Sequence, residues 1–146
     1  MSDLSQTKSE PHFTGIKLNR QARKFLWPRP AAYFPIGLLR GRGNCLSTDV
    51  ELYRCGYPRS GNTFAVTAFL SANPEARLQH HRHIPAFVIN MAKHGVPGII
   101  LLRSPLDAAV SWAIHEEQSL ESAVAYYNDY YETLMPYRDR IFVAHF

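Results

Sequence analysis

The chain has 146 residues, 46% of them hydrophobic and 12% aromatic, with a formal net charge of +4. That describes one globular domain with a core of ordinary size, and it excludes a low-complexity chain. Two cysteines, Cys45 and Cys55, form no C-x-x-C and exclude a disulfide framework; the expected setting is a reduced, cytoplasmic one.

The basic charge sits at the front. Residues 1–50 hold eight Lys and Arg (Lys8, Lys17, Arg20, Arg23, Lys24, Arg29, Arg40 and Arg42) against three acids, Asp3, Glu10 and Asp49. Such a leader can attract an anionic partner, but its expected behaviour is that of a solvated, partly ordered arm over residues 1–49. Within it, "FLWPRPAAYFPIGLL" is the longest apolar stretch. It is too short to span a bilayer, and Arg29, Pro28, Pro30 and Pro35 interrupt it. No transmembrane segment is expected, while peripheral membrane contact through Trp27, Tyr33 and Phe34 is left open.

From about residue 49 the pattern becomes regular. "DVELYRC" reads as a strand, the glycine-bearing "GYPRSGNT" as a loop, and "TFAVTAFLSA" as a helix ended by Asn73-Pro74. "ARLQHHRH" is a weakly marked short strand, and "PAFVINMAKHG" a helix with Pro85 in its first turn and Gly95 past its end. "GIILLR" is an unbroken apolar run of the kind buried in a parallel sheet. Ser104 as N-cap, Pro105 at N1 and Asp107 at N3 mark the start of the next helix, "LDAAVSWAIHEE". Ser119 is available to cap another, "LESAVAYYNDYYETLM", whose Tyr126, Tyr127, Tyr130 and Tyr131 form a core-packing stripe. "RIFVAHF" is a final strand. Strands alternating with helices predict an α/β domain over residues 50–146 with a parallel sheet flanked by helices. A doubly wound domain normally continues past such a strand, so the expectation is a domain truncated at its C-terminus, a fragment of the complete architecture.

The chemistry centres on Gly56–Thr63. It nearly matches the phosphate-binding loop G-x-x-x-x-G-K-[ST], but Asn62 replaces the lysine and Arg59 precedes it by three positions. Glycine lets the backbone approach a ligand, and the following helix presents N–H groups and a positive dipole end. Ser60, Gly61, Asn62 and Thr63 supply that nest, and Arg59 can place a guanidinium on a terminal anion. Without the lysine, ATP hydrolysis is poorly served. Arg103 ends "GIILLR", and Ser111 lies eight residues on. Ligands of open α/β sheets bind at the carboxyl ends of strands, so Arg103 and the loop are predicted to open onto one crevice.

These segments resemble the sulfotransferase family that uses 3′-phosphoadenylyl sulfate. "YPRSGNTF" looks like its 5′-phosphosulfate loop, P-R-S-G-T/N-T, and "LLRSPLDAAVSW" like its 3′-phosphate motif, R-x-P-x-D-x-x-x-S. "RHIP" resembles the H-L-P segment carrying that family's catalytic histidine. The resemblance covers roughly residues 50–146 and implies a P-loop-type sheet and sulfuryl transfer to a hydroxyl or amine, with a small-molecule or saccharide acceptor. It implies donor contacts from Arg59, Ser60, Gly61, Asn62, Thr63, Arg103 and Ser111, with Arg59 also stabilising charge on the leaving phosphate and His83 acting as general base. No metal and no nucleic-acid partner are expected; the cluster of His80, His81 and His83 has no cysteine or carboxylate at ligand spacing. The family's distal portion, with further donor contacts, has no counterpart before Phe146, so a half-built donor site is expected. Two alternatives stand beside this reading. One is a non-catalytic nucleotide-binding remnant. The other is a P-loop kinase-like enzyme, disfavoured by Asn62 and by the lack of a Walker-B acid in "GIILLR".

Overall fold

A computed structural model describes residues 19–39, 50–80 and 82–146. Lys8, Lys17, Arg40, Arg42, Cys45, Asp49 and His81, all considered above, lie outside these residues. Four parallel strands form one sheet in the order β2-β1-β3-β4: β1 is Leu52–Gly56, β2 Leu78–Gln79, β3 Gly98–Leu102 and β4 Phe142–His145. The helices are α1 (Arg20–Leu26), α2 (Pro30–Leu39), α3 (Asn62–Ala72), α4 (Pro85–Lys93), α5 (Pro105–His115) and α6 (Leu120–Leu134), followed by a 3-10 turn at Met135–Arg140. This is an α/β fold with a small all-parallel sheet. Among the described residues no helix is long and apolar enough to cross a membrane.

From β1 the chain steps outward to β2, then returns past β1 to β3 and continues to β4. The direction of winding therefore reverses between β1 and β3, which makes their carboxyl ends the switch point where such sheets leave a crevice. Gly56, the last residue of β1, pairs with Leu101 of β3. The loop after β1 and Arg103 after β3 thus leave the sheet side by side.

One face of the sheet carries the main core. Tyr53 and Cys55 of β1 and Ile100 of β3 pack against Phe87, Val88, Ile89 and Met91 of α4, with Tyr127, Tyr130 and Leu134 of α6. Strand alternation sends Arg54, between Tyr53 and Cys55, to the opposite face, where α3 packs against β1. The tyrosine stripe on α6 is a packing stripe, as its spacing predicts: Tyr127 and Tyr130 are buried, and Tyr126 and Tyr131 pack against the same cluster.

The leader differs most from its expectation. Residues 20–39 form two helices whose Leu26, Trp27, Tyr33 and Phe34 belong to the main core. Trp27, Tyr33 and Phe34 are therefore packing residues in this fold rather than a surface for membrane contact. Two local signals favour these helices. The Asn19 side chain accepts from the Ala22 amide at 2.8 Å, capping α1. Pro30 opens α2, where a missing N–H costs nothing, although Pro35 lies inside the same helix. The cations of α1 gather on one buried carboxylate, Asp129 of α6: Arg20 at 3.1 Å, Lys24 at 3.5 Å and Arg23 at 3.7 Å. The Arg23 guanidinium also stands 4.9 Å from the centre of the Tyr126 ring.

The remaining elements depart little from the sequence reading. The strand read in "DVELYRC" begins at Leu52, which pairs with Leu78 of β2, and pairing with β3 starts one residue later at Tyr53; the segment "ARLQHHRH" contributes only Leu78–Gln79. Ser104 occupies the N-cap of α5 but makes no side-chain capping hydrogen bond. Ser119 does cap α6, accepting from the Ser122 amide at 3.2 Å.

Candidate functional site

The loop between β1 and α3 begins as a tight turn. The Ser60 amide donates to the Tyr57 carbonyl at 3.2 Å, with Pro58 at the second position and Arg59 at the third. Arg59 has φ +65°, a left-handed conformation that costs a residue with a Cβ about 1–2 kcal/mol. Gly61 follows at φ +74° and stands at the N-cap of α3, with no side chain to cap it. The first turn of α3 carries no acidic residue. Its amides, which have no acceptor inside the helix, and its positive dipole end therefore face the mouth of the loop without a built-in counter-charge. Ser60 is fully buried, and its hydroxyl lacks a well-formed hydrogen bond among the described residues. Beside the loop, the Phe146 ring lies against Gly61; a Cβ there would come within 2.7 Å of it.

Three of the predicted residues meet here although they are far apart in the chain. Arg59 Nε donates to Ser111 Oγ of α5 at 3.1 Å, and Arg103 Nη1 donates to the Arg59 carbonyl at 2.9 Å. Arg59 is exposed, while Arg103 and Ser111 are half-buried. Two arginines thus meet beyond the carboxyl ends of β1 and β3, with no carboxylate hydrogen-bonded between them among the described residues. Asp107, in the first turn of α5, is exposed.

Asn62, at the position of the lysine in the motif G-x-x-x-x-G-K-[ST], is turned away from the mouth of the loop. Its side chain is 6% exposed and turned inward: Nδ2 donates to the Tyr57 carbonyl at 2.9 Å. Only its backbone can serve a ligand in the loop. Gly56 makes room for this arrangement, because a Cβ there would lie 2.8 Å from the Leu101 carbonyl and 3.1 Å from Asn62 Oδ1.

His83 stands at the other side of the same strand end. Its Nδ1 is 2.8 Å from the Gly56 carbonyl. A carbonyl only accepts, so Nδ1 carries the proton and the ring's lone pair lies on Nε2. The Tyr126 hydroxyl donates to the His83 carbonyl at 3.4 Å, and the Cys55 thiol to that of Arg82. The segment before α4 is therefore tied to β1 and α6. Of its histidine neighbours, His80 is half-buried.

Sequence reasoning missed two groups. The first is the hydroxyl row of α6. Tyr131 Oη donates to the Leu101 carbonyl at 2.8 Å and accepts from the Tyr57 amide at 3.3 Å, bridging the ends of β3 and β1. Tyr127 Oη donates to the Arg103 carbonyl at 2.8 Å. Burial pushes both phenols up from the ordinary tyrosine range, so they stay protonated donors at neutral pH. Their spacing marked a packing stripe; nothing in it showed where the hydroxyls point.

The second is Arg54 of β1, only 3% exposed. Its Nη2 donates to the Asn62 carbonyl and its Nη1 lies 3.5 Å from Asn62 Oδ1, while Nε is buried with no partner among the described residues. Burial lowers its pKa to about 10, which leaves it charged at neutral pH. Its signal in the sequence was an arginine inside an otherwise buried strand.

Comparisons with protein-family models, with curated proteins and with solved structures found no match for this chain. The arrangement of side chains therefore carries the functional reading.

Proposed function

We propose that this chain binds 3′-phosphoadenylyl sulfate in a P-loop-type site at the carboxyl ends of β1 and β3 and transfers its sulfuryl group to an acceptor hydroxyl or amine. One observation carries the reading: Arg59, Arg103 and Ser111, from a loop, a strand end and a helix, are joined by two hydrogen bonds at the sheet's switch point. Two anchored cations and a hydroxyl around an uncapped helix N-terminus suit a ligand with more than one anionic group.

In this reading the amides of Gly61, Asn62 and Thr63 hold the 5′-phosphate, while the Ser60 amide closes the turn on the Tyr57 carbonyl, and Arg103 with Ser111 holds the 3′-phosphate. The donor supplies an electrophilic sulfonate on a phosphate leaving group. Arg59 remains charged throughout and serves that phosphate as a bidentate electrostatic clamp rather than as a proton donor. His83, with Nδ1–H fixed on Gly56, offers Nε2 to the acceptor's proton. The left-handed backbone at Arg59 is the kind of strain that loops hold when a side chain must be aimed.

The test is calorimetric titration with adenosine 3′,5′-bisphosphate, against ATP with Mg²⁺. The bisphosphate binds, and Arg103→Ala weakens it by about 1.5–3 kcal/mol, the strength of a charged hydrogen bond. Binding of ATP–Mg²⁺ without the bisphosphate sinks the reading. Transfer of labelled sulfate to a panel of phenols, alcohols and sugars then separates an enzyme from a binding module.

A further inference from the structure

Arg54 is a lone cation placed where packing alone would favour an apolar side chain. It is 3% exposed, and among the described residues no carboxylate lies within ion-pair distance of it. Its neighbour Cys55 offers no counter-charge, because burial pushes that thiol up and keeps it neutral. A buried charge with no partner is expensive to keep. Two of its three nitrogens face a single residue, Asn62, and the third has no partner among the described residues.

The bond from Nη2 goes to the Asn62 carbonyl. That carbonyl shares its peptide unit with the Thr63 amide, one of the N–H groups in the first turn of α3. A guanidinium donating to a peptide oxygen polarises the whole unit and strengthens its N–H as a donor, and more so in a low-dielectric interior. The same charge adds to the positive end of the α3 dipole, on which no acidic side chain acts in the first turn.

We infer that Arg54 is the electrostatic substitute for the missing loop lysine, acting from beneath through the Asn62–Thr63 peptide to bind an anionic phosphate group in the loop. In a lysine-bearing loop the cation reaches the phosphate from position 62. Here position 62 holds a buried amide that receives Arg54 and is tied to the Tyr57 carbonyl at 2.9 Å. The charge has moved one layer inward and meets its counter-ion only when the loop is occupied. Arg54 is thus a positioning residue that touches no ligand. The inference rests on the proposed anion site, and it deepens that proposal by assigning the site's charge.

The test uses inorganic pyrophosphate and adenosine 3′,5′-bisphosphate as separate probes, with wild type, Arg54→Lys and Arg54→Gln. Glutamine keeps an N–H donor for the Asn62 carbonyl and removes the charge; lysine keeps the charge and removes the fork. Arg54→Gln is expected to weaken pyrophosphate binding by roughly 10- to 100-fold, the range of a charged hydrogen bond. Its ligand-free melting temperature should stay at or above that of wild type, because a desolvated charge is gone. Arg54→Lys should restore most of the affinity. A purely structural strut predicts the reverse, with stability falling and affinity unchanged in the folded fraction. Equal pyrophosphate affinity in wild type and Arg54→Gln overturns the inference and leaves the sulfuryl-transfer reading standing. Failure of both variants to fold overturns it too, by making Arg54 a structural post. Pyrophosphate binding without bisphosphate binding sinks the donor assignment alone, and the Arg54 comparison still decides. If wild type binds neither probe, both proposals fall.

Discussion

Replacing Tyr131 by phenylalanine removes one oxygen and leaves two strand ends unjoined. In the wild type that oxygen donates to the Leu101 carbonyl at 2.8 Å and accepts from the Tyr57 amide at 3.3 Å. Tyr57 is fully buried, so its amide has no water to turn to in the variant. A typical internal hydrogen bond contributes about 1 kcal/mol net, and a buried donor left unsatisfied costs about 1–3 kcal/mol. The amide bond is long, which places the second contribution at the lower end. Tyr131→Phe should therefore destabilise by about 2–3 kcal/mol, seen as a lower urea midpoint at constant slope. Tyr127→Phe, which loses one bond to the half-buried Arg103 carbonyl, should cost only about 0.5–1.5 kcal/mol. Because the Tyr131 bridge holds the first residue of the loop, bisphosphate affinity should fall with it. A Tyr131→Phe variant within about 0.5 kcal/mol of wild type, or one less damaging than Tyr127→Phe, would refute the bridging role.

Asn62→Lys restores the lysine of the phosphate-binding loop yet should destabilise the chain by about 3–5 kcal/mol, since it buries a second cation against Arg54 and breaks the bond to Tyr57; chemical denaturation measures this. His83→Gln should leave bisphosphate affinity within about twofold while lowering sulfate transfer roughly 10²- to 10⁴-fold, a contrast read by pairing calorimetry with the transfer assay. Stability should fall in alkali. Burial raises Tyr53, Tyr57, Tyr126, Tyr130 and Tyr131 above the ordinary phenol range and Cys55 above the ordinary thiol range. Their contribution is complete below those unfolded ranges and is lost as pH rises past them toward the folded ones, because only the unfolded chain ionises there. Arg54, lowered to about 10, works in the opposite sense but is one group against six. Tyrosinate absorbance rising together with loss of helical ellipticity would confirm this, and tyrosinate forming in a folded chain would contradict it.

Much of the architecture was legible because its signals are local. "GIILLR" could only be a buried strand, Pro85 and Gly95 bracket α4, and Gly61 at φ +74° has the conformation its position in the loop demands. The meeting of Arg103 with the loop was also legible, from the rule that ligands sit at strand carboxyl ends. The helices at 20–39 were not. Pro28, Pro30 and Pro35 read as interruptions, yet Pro30 serves as a helix start, and the cations of α1 read as solvated until Asp129 appears 109 residues away from Arg20.

By itself, then, the sequence determined the strand–loop–helix units and the glycine-bearing loop proposed as the anion site, since both depend on neighbours within a few positions. The tertiary structure alone decided which way Asn62 faces, that Arg54 stands beneath it, and that Tyr127 and Tyr131 hold the strand ends. Each of these depends on which face of a strand a residue occupies and which strand lies beside it. Pairing between distant segments settles both, and it leaves no mark within any short stretch of chain. "GYPRSGNT" shows a loop without its lysine, and only the packed sheet shows a buried arginine one layer below it.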